Sequence, residues 1–75
     1  MRYDVLVDWD AEARVWYVTE SNVPGLVTEA PTLDAMLQKL EVMVPEMLEE
    51  NGFHVAPDAP FYLLTQHRGH ASQSH

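Results

Sequence analysis

The sequence predicts an α+β domain with the element order β-β-β-α-β. Two early segments alternate apolar and polar residues with the period of two that is typical of half-buried strands. A later segment repeats its apolar residues with the period of an α-helix, and a short, mostly apolar run follows it. A helix between two strands forms a crossover unit, so we expect the strands and the helix to pack as two layers.

The first two predicted strands, residues 2–9 and 14–20, form a hairpin. Both alternate in the same way, and a gap of residues that disfavour strand separates them. If the loop takes residues 10–13, Val7 faces Trp16, and the strongly apolar sides of the two strands coincide. We expect this side to face the helix.

The opposite side of the hairpin is more apolar than a fully solvated face needs to be. Leu6, Val15 and Tyr17 lie on it, and the same register places Leu6 opposite Tyr17. A chain as short as this one buries only about 60% of its unfolded surface, which leaves such a strip without cover. We therefore expect the three residues to form an interaction surface, and we expect a homodimer or tetramer that buries this face or an edge strand.

A turn, a short strand and a helix cap follow the hairpin. In Pro24-Gly25, proline fixes φ at the first central position of a turn, and glycine accepts the positive φ that a type II turn requires at the second. Residues 26–30 are predicted to form the third strand. Thr32 is predicted to cap the helix, with Asp34 favourably placed in its first turn. Pro24, Gly25 and Thr32 are thus assigned structural roles.

Residues 33–50 are predicted to form one amphipathic helix. Its apolar residues occupy an arc about 140° wide on the helical wheel: Leu33, Met36, Leu37, Leu40, Met43, Val44, Met47 and Leu48. Pro45 lies outside this arc and removes one backbone hydrogen bond. We expect a single helix that is kinked at Pro45 and packs on one face of the sheet, with two shorter helices as the alternative.

The last predicted strand covers residues 61–66, after a connector that contains two prolines. Residues 1–66 are therefore expected to form a single domain. The remaining residues, 67–75, have little to bury and are expected to be a disordered tail.

Composition excludes several classes of protein. Twelve acidic and four basic residues give a formal charge of −8, and because phosphates need cationic partners, we expect no direct binding of nucleic acid. The absence of cysteine excludes disulfides and thiolate metal sites. No segment has the roughly 20 consecutive apolar residues that span a bilayer, and no signal-peptide run begins the chain. These observations predict a cytoplasmic protein that contacts no membrane.

The segment from Val15 to Asp34 resembles the N-terminal domain of HicB antitoxins. In that family a strand ends in a Pro-Gly turn, a short strand follows, and a Thr-Leu-Asp/Glu-like cap opens the helix. Pro24-Gly25 and Thr32-Leu33-Asp34 stand in the matching positions here, and the resemblance extends over residues 3–51. It implies a partial ribonuclease-H-like sheet with strand order 3-2-1-4 and the helix on one face.

The resemblance also implies a function. A HicB-like domain would bind and neutralise a small, basic, mRNA-cleaving toxin, HicA, and would self-associate through its sheet. HicB antitoxins usually continue into a C-terminal operator-binding segment, whereas only residues 52–75 follow Asn51 here, without a basic helix. The sequence is thus more similar to a stand-alone branch related to HicB. A self-assembling structural or regulatory domain without a toxin partner is the alternative.

A nuclease is a lesser alternative that the ribonuclease-H resemblance raises. Those enzymes hold two magnesium ions with carboxylates from the first strand, the helix and the fourth strand. Asp4 or Asp8 could supply the first and Glu41 the second, but residues 61–66 contain no acid. We therefore expect no catalytic residue, no metal and no cofactor. The spacing of the tail histidines matches no standard metal site: His67, His70 and His75.

The acidic residues of the helix have two compatible interpretations. In the first, they form a solvated face. In the second, they make the chain electrostatically complementary to a cationic partner such as a ribonuclease toxin, so that association is faster and weakens with salt. The residues concerned are Glu41, Glu46, Glu49 and Glu50.

Overall fold

A computed structural model of the chain describes residues 2–54 and 60–65. These residues form β1 (Tyr3–Asp10), β2 (Val15–Ser21), β3 (Glu29–Ala30), α1 (Leu33–Glu50) and β4 (Phe61–Thr65). The strands make one sheet of order β3-β2-β1-β4, in which β1 is antiparallel to β2 and parallel to β4. The predicted α+β class, element order and strand order are confirmed. The tail at residues 67–75 lies outside the described residues.

The hydrophobic core lies between α1 and one face of the sheet. Val5 and Val7 of β1 are buried in it, and Trp16 and Val18 of β2 pack against it, as predicted. Within the described residues every buried side chain is apolar. The buried set consists of Val5, Val7, Val23, Leu26, Ala30, Met36, Leu40, Val44 and Leu48.

The buried stripe of α1 winds around the helix instead of running straight along it. Its four buried residues are spaced by four, Met36 and Leu40 in the first half and Val44 and Leu48 in the second. At 100° per residue, each step of four rotates the buried direction by about 40°. Leu37 points in the direction that faces the core only in the second half of the helix. Because it lies in the first half, its side chain projects away from the core and is 40% exposed. Its predicted burial is wrong for this reason.

The helix continues through Pro45 as one α-helix, so the alternative of two shorter helices is wrong. Proline leaves the carbonyl of Glu41 without its usual i+4 donor, and the bend expected there stays a prediction. At the N-terminus, the Thr32 hydroxyl accepts a hydrogen bond from the Ala35 N–H at 3.0 Å, and Asp34 lies in the first turn. The predicted cap is confirmed.

The turn at Pro24-Gly25 inserts two side chains into the core. The Leu26 N–H donates to the Val23 carbonyl over 3.3 Å, and Gly25 has a φ of +71°, as a type II turn requires. Val23 and Leu26, on either side of the turn, are both buried. Because Leu26 enters the core here, the chain joins the sheet later than predicted, and β3 holds only Glu29–Ala30 instead of residues 26–30.

The register of the β1–β2 hairpin differs from the prediction. Val7 pairs with Val18 and not with Trp16, a shift of two residues that leaves the side chains of residues 15–18 on their predicted faces. The ladder is then interrupted between Val7 and Leu6, so that Thr19 is an extra residue on β2. This bulge places Glu20 opposite Leu6. Glu20 therefore leaves the helix side of the sheet, where the predicted register would have buried an unpaired acid.

Side-chain hydrogen bonds in the loop account for the shift. Asp10 Oδ1 accepts hydrogen bonds from the N–H groups of Glu12 and Ala13 at 3.0 and 3.1 Å. Arg14 takes a φ of +59°, and its N–H donates to the Asp10 carbonyl at 2.7 Å. Asp10 is therefore the last residue of β1, and the four-residue loop lies at 11–14 instead of 10–13.

Replacing buried and exposed leucines of α1 tests which side of the helix packs on the sheet. Leu40→Ala is expected to lower the free energy of unfolding by about 2–5 kcal/mol, because Leu40 is fully buried and its removal leaves a cavity. Leu37→Ala, the matched control, is expected to cost less than about 1 kcal/mol. Urea denaturation followed by circular dichroism measures both. Equal losses would contradict the orientation of the helix.

Gly25→Ala is expected to lower the melting temperature more than Gly52→Ala. Both glycines have positive φ, so both variants carry the left-handed backbone penalty of about 1–2 kcal/mol. At Gly25 the new Cβ would also lie 3.0 Å from Cε of Met47, whereas at Gly52 it meets nothing within 4 Å. Thermal unfolding of the two variants isolates this contact. Identical shifts would mean that Met47 moves aside at no cost.

Candidate interaction face

The candidate functional site is the sheet face that points away from α1, which we name the open face. β1 alternates, so its residues between the buried valines point to this face, and their cross-strand neighbours on β2, β3 and β4 complete it. The open face consists of Arg2, Asp4, Leu6, Asp8, Asp10, Val15, Tyr17, Glu20, Glu29, Tyr62 and Leu64.

The three residues predicted to form an interaction strip share the open face but do not form a continuous strip. Leu6 and Val15 are half-buried, and Tyr17 is exposed. The predicted pairing of Leu6 with Tyr17 is wrong, because the shifted register places Tyr17 beside Asp8. Acidic side chains therefore alternate with the apolar ones across the sheet. The turn and cap residues Pro24, Gly25 and Thr32 lie outside this face.

Two exposed residues of the open face were missed at the sequence level. β4 runs parallel to β1, and this pairing sets Tyr62 beside Asp4 and Leu64 beside Leu6. Both side chains are exposed. The sequence of the fourth strand is mostly apolar and does not alternate clearly. It therefore does not indicate which of its residues face the helix.

Charge on the open face is predominantly negative. Its residues include one cation, Arg2, and five carboxylates, those of Asp4, Asp8, Asp10, Glu20 and Glu29. Arg2 Nε donates to Asp4 Oδ1 at 2.7 Å, and within residues 2–54 and 60–65 this is the one ion pair. The Arg2 guanidinium also lies 4.0 Å from the centroid of the Tyr62 ring. Four of the five carboxylates therefore lack a cationic partner among the described residues.

Asn22 holds the end of β1 that carries Arg2 and Asp4. Its Oδ1 accepts a hydrogen bond from the Asp4 N–H at 2.9 Å, and its Nδ2 donates to the Arg2 carbonyl at 2.7 Å. The side chain thus pairs with the backbone as a neighbouring strand would. This arrangement orders the Arg2 side of the open face.

Two cavities lined by described residues lie along the open face, and both are small. One of about 110 Å³ lies beside Leu6 and Leu64, and one of about 280 Å³ lies beside Asp4 and Glu20. Pockets that enclose drug-sized ligands usually measure about 300–1,000 Å³ and are mostly apolar. The open face is therefore better suited to a macromolecular surface than to a small molecule.

The carboxylates of the nuclease alternative do not come together. Asp4 and Asp8 point to the open face, while Glu41 is exposed on the helix, which covers the opposite face of the sheet. In the described part of the chain, no three His, Asp or Glu side chains gather in a way that could hold a metal ion. His54 is exposed near the end of α1. His67, His70 and His75 lie outside the described residues.

The described residues also contain no helix that is long and apolar enough to cross a membrane.

Comparisons with known proteins place the chain in a family. No curated protein matches it. A hypothetical protein from the extremely thermophilic bacterium Thermus thermophilus, known from a crystal structure, is 45% identical to it. That match covers 91% of this chain and 99% of the other, with a TM-score of 0.74. The model of DUF1902, a domain of unknown function, matches residues 2–73, while no HicB family model matches. The chain belongs to the DUF1902 family.

Proposed function

We propose that this chain is a protein-interaction module, without catalytic activity of its own, whose open face binds a small basic protein. The observation that carries the proposal is the composition of that face: Tyr17, Tyr62 and Leu64 are exposed among carboxylates that outnumber the basic groups there. Aromatic and aliphatic side chains supply apolar area to bury, and opposite charges steer and orient the partner.

The charge of the face argues for a cationic partner. A neutral or acidic partner would bury the carboxylates of Asp8, Glu20 and Glu29 without counter-charges, which costs free energy. A basic partner would pair with them. Since the chain carries a formal charge of −8, its long-range field also attracts cations and speeds encounter with them.

The resemblance to HicB antitoxins supports a specific kind of basic partner, a small mRNA-cleaving toxin. In this proposal the chain neutralises the toxin by covering it, and because the target of such a toxin is mRNA, the pair would act in the cytoplasm. The DUF1902 family and the Thermus protein carry no described function. The partner therefore rests on the resemblance and on the chemistry of the open face.

The proposal expects a small basic protein to be encoded beside this chain's gene, and co-expression of the two tests it. We expect the two to co-purify and to separate as salt is raised, because screening weakens the charge attraction. Asp8→Asn combined with Glu20→Gln is expected to slow association about 3- to 10-fold at low salt. Both substitutions keep the side-chain size and the oxygen acceptor, so the hydrogen bond from the Trp9 N–H to Asp8 Oδ1 can remain.

The matched control for this experiment removes the same number of charges from the outer surface of α1. Glu46→Gln combined with Glu49→Gln changes exposed residues on the other layer and is expected to leave the association rate nearly unchanged. Surface plasmon resonance measures the association rate of both double variants. Similar slowing by the two pairs would place the contact elsewhere, and failure of the proteins to co-purify would remove the toxin partner.

Self-association is a second candidate function, and the position of β4 favours it. β4 is an edge strand that pairs with β1 on one side, and among the described residues nothing pairs with its other side. A five-residue edge with exposed Tyr62 and Leu64 can add a strand from a second copy. This arrangement would also serve a structural or regulatory domain that has no toxin partner.

Sedimentation at tens of micromolar protein tests this assembly. The unaltered chain is expected to form a dimer or tetramer, and Leu64→Lys is expected to shift it to monomer, because a charged residue on an edge strand disfavours pairing. Leu37→Lys is the matched control, since Leu37 and Leu64 are 40% and 39% exposed. If the unaltered chain sediments as a monomer, the proposal of self-association is wrong. If Leu64→Lys and Leu37→Lys change the oligomeric state equally, β4 is not the interface.

A further inference from the structure

We propose that Tyr17, with Asp8 and Glu29 on either side of it, is the receptor for an arginine side chain of the bound protein. This inference rests on the proposed function, and it adds which partner side chain the open face recognises and where. It follows from an arrangement that the chain already makes with its own Arg2.

Arg2 shows how this face holds a guanidinium. Asp4 and Tyr62 are cross-strand neighbours on β1 and β4. The Arg2 guanidinium lies over the Tyr62 ring, 4.0 Å from its centroid, while Nε donates to Asp4 Oδ1 at 2.7 Å. One arginine thus combines a cation–π contact with a charge-assisted hydrogen bond. Binding a guanidinium in this way requires a tyrosine and a carboxylate that are paired across adjacent strands.

Tyr17 has this unit on both sides. It pairs with Asp8 across β1–β2 and with Glu29 across β2–β3, and cross-strand neighbours on one face lie about 4.5–5.5 Å apart at Cβ. The Tyr17 side chain is 38% exposed, so its ring is accessible. A central strand position therefore offers one aromatic ring flanked by two carboxylates.

In the described part of the chain, no cation occupies this position. Lys39 approaches Glu29, but its Nζ donates to the backbone carbonyl of Glu29, and no ion pair joins the two side chains. Asp8 uses Oδ1 to accept a hydrogen bond from the Trp9 N–H, which leaves its second oxygen available. Both carboxylates can therefore accept hydrogen bonds from a partner.

The geometry favours arginine over lysine. A guanidinium is planar, so it can stack over the Tyr17 ring while its in-plane N–H groups reach a carboxylate on each side. A lysine ammonium is a compact point charge that is strongly hydrated and does not stack. General attraction to the acidic chain would not distinguish the two cations, so a preference for arginine is the signature of the receptor.

Two capped peptides of equal length and charge, one alternating glycine with arginine and the other glycine with lysine, serve as probes. NMR titration of the full chain is expected to show that the arginine peptide binds about three-fold more tightly, with the largest ring shifts at Tyr17. Tyr17→Leu is expected to abolish this preference while both peptides keep the weak, salt-sensitive affinity due to charge. Tyr62→Leu is the matched control, because Arg2 already occupies the Tyr62 ring, and it should retain the preference.

Glu29→Gln provides a second variant that keeps the Tyr17 ring. This substitution is expected to weaken binding of the arginine peptide more than binding of the lysine peptide, because only the guanidinium would use both flanking carboxylates. Equal affinity of the unaltered chain for the two peptides would overturn the inference, as would a preference that survives Tyr17→Leu.

The inference and the proposed function can fail separately. If the basic protein binds the unaltered chain and the Tyr17→Leu variant equally well, the arginine receptor is wrong and the interaction module stands. If the peptides show the preference and the basic protein does not bind, the receptor is supported and the toxin is not its occupant.

Discussion

The structure depends on one constraint: a single helix covers only one face of a four-stranded sheet. Val5 and Val7 lie under α1, and because side chains alternate along a strand, Asp4, Leu6 and Asp8 must point to the other side. The described residues supply no second layer for that side. The alternation that places the valines in the core therefore also determines which residues lie on the open face. The polar and apolar side chains there are accessible to partners.

The β-bulge at Thr19 links the core to the candidate site. Without the extra residue, Glu20 would point toward α1, into a core that contains no buried polar group among the described residues. The bulge turns Glu20 to the open face, where water solvates its carboxylate. The cost of burying an unpaired charge is avoided, and as a consequence the open face gains an acid beside Leu6. The irregularity that protects the core also increases the negative charge available to a partner.

Local signals made most of the fold predictable. The turn at Pro24-Gly25 and the cap at Thr32 depend on backbone preferences of single residues, so the sequence shows them directly. The hairpin register depended on where the side chain of Asp10 forms its hydrogen bonds, which alternation does not reveal. Leu37 was misplaced because the buried direction rotates along α1. Tyr62 and its neighbours on β4 lacked a period of two, and only the parallel pairing with β1 assigns their faces.

The distribution of charge indicates that the two proposed contacts use different surfaces. If two copies met through their open faces, the carboxylates of one copy would approach those of the other. Like charges that lose their water at an interface repel each other, which opposes association. Pairing at the outer edge of β4 relies mainly on backbone hydrogen bonds, which carry no net charge. It would extend the sheet and leave Tyr17, Asp8 and Glu29 accessible. Self-association and binding of a cationic protein are therefore compatible in one assembly, in which each copy presents its own acidic face.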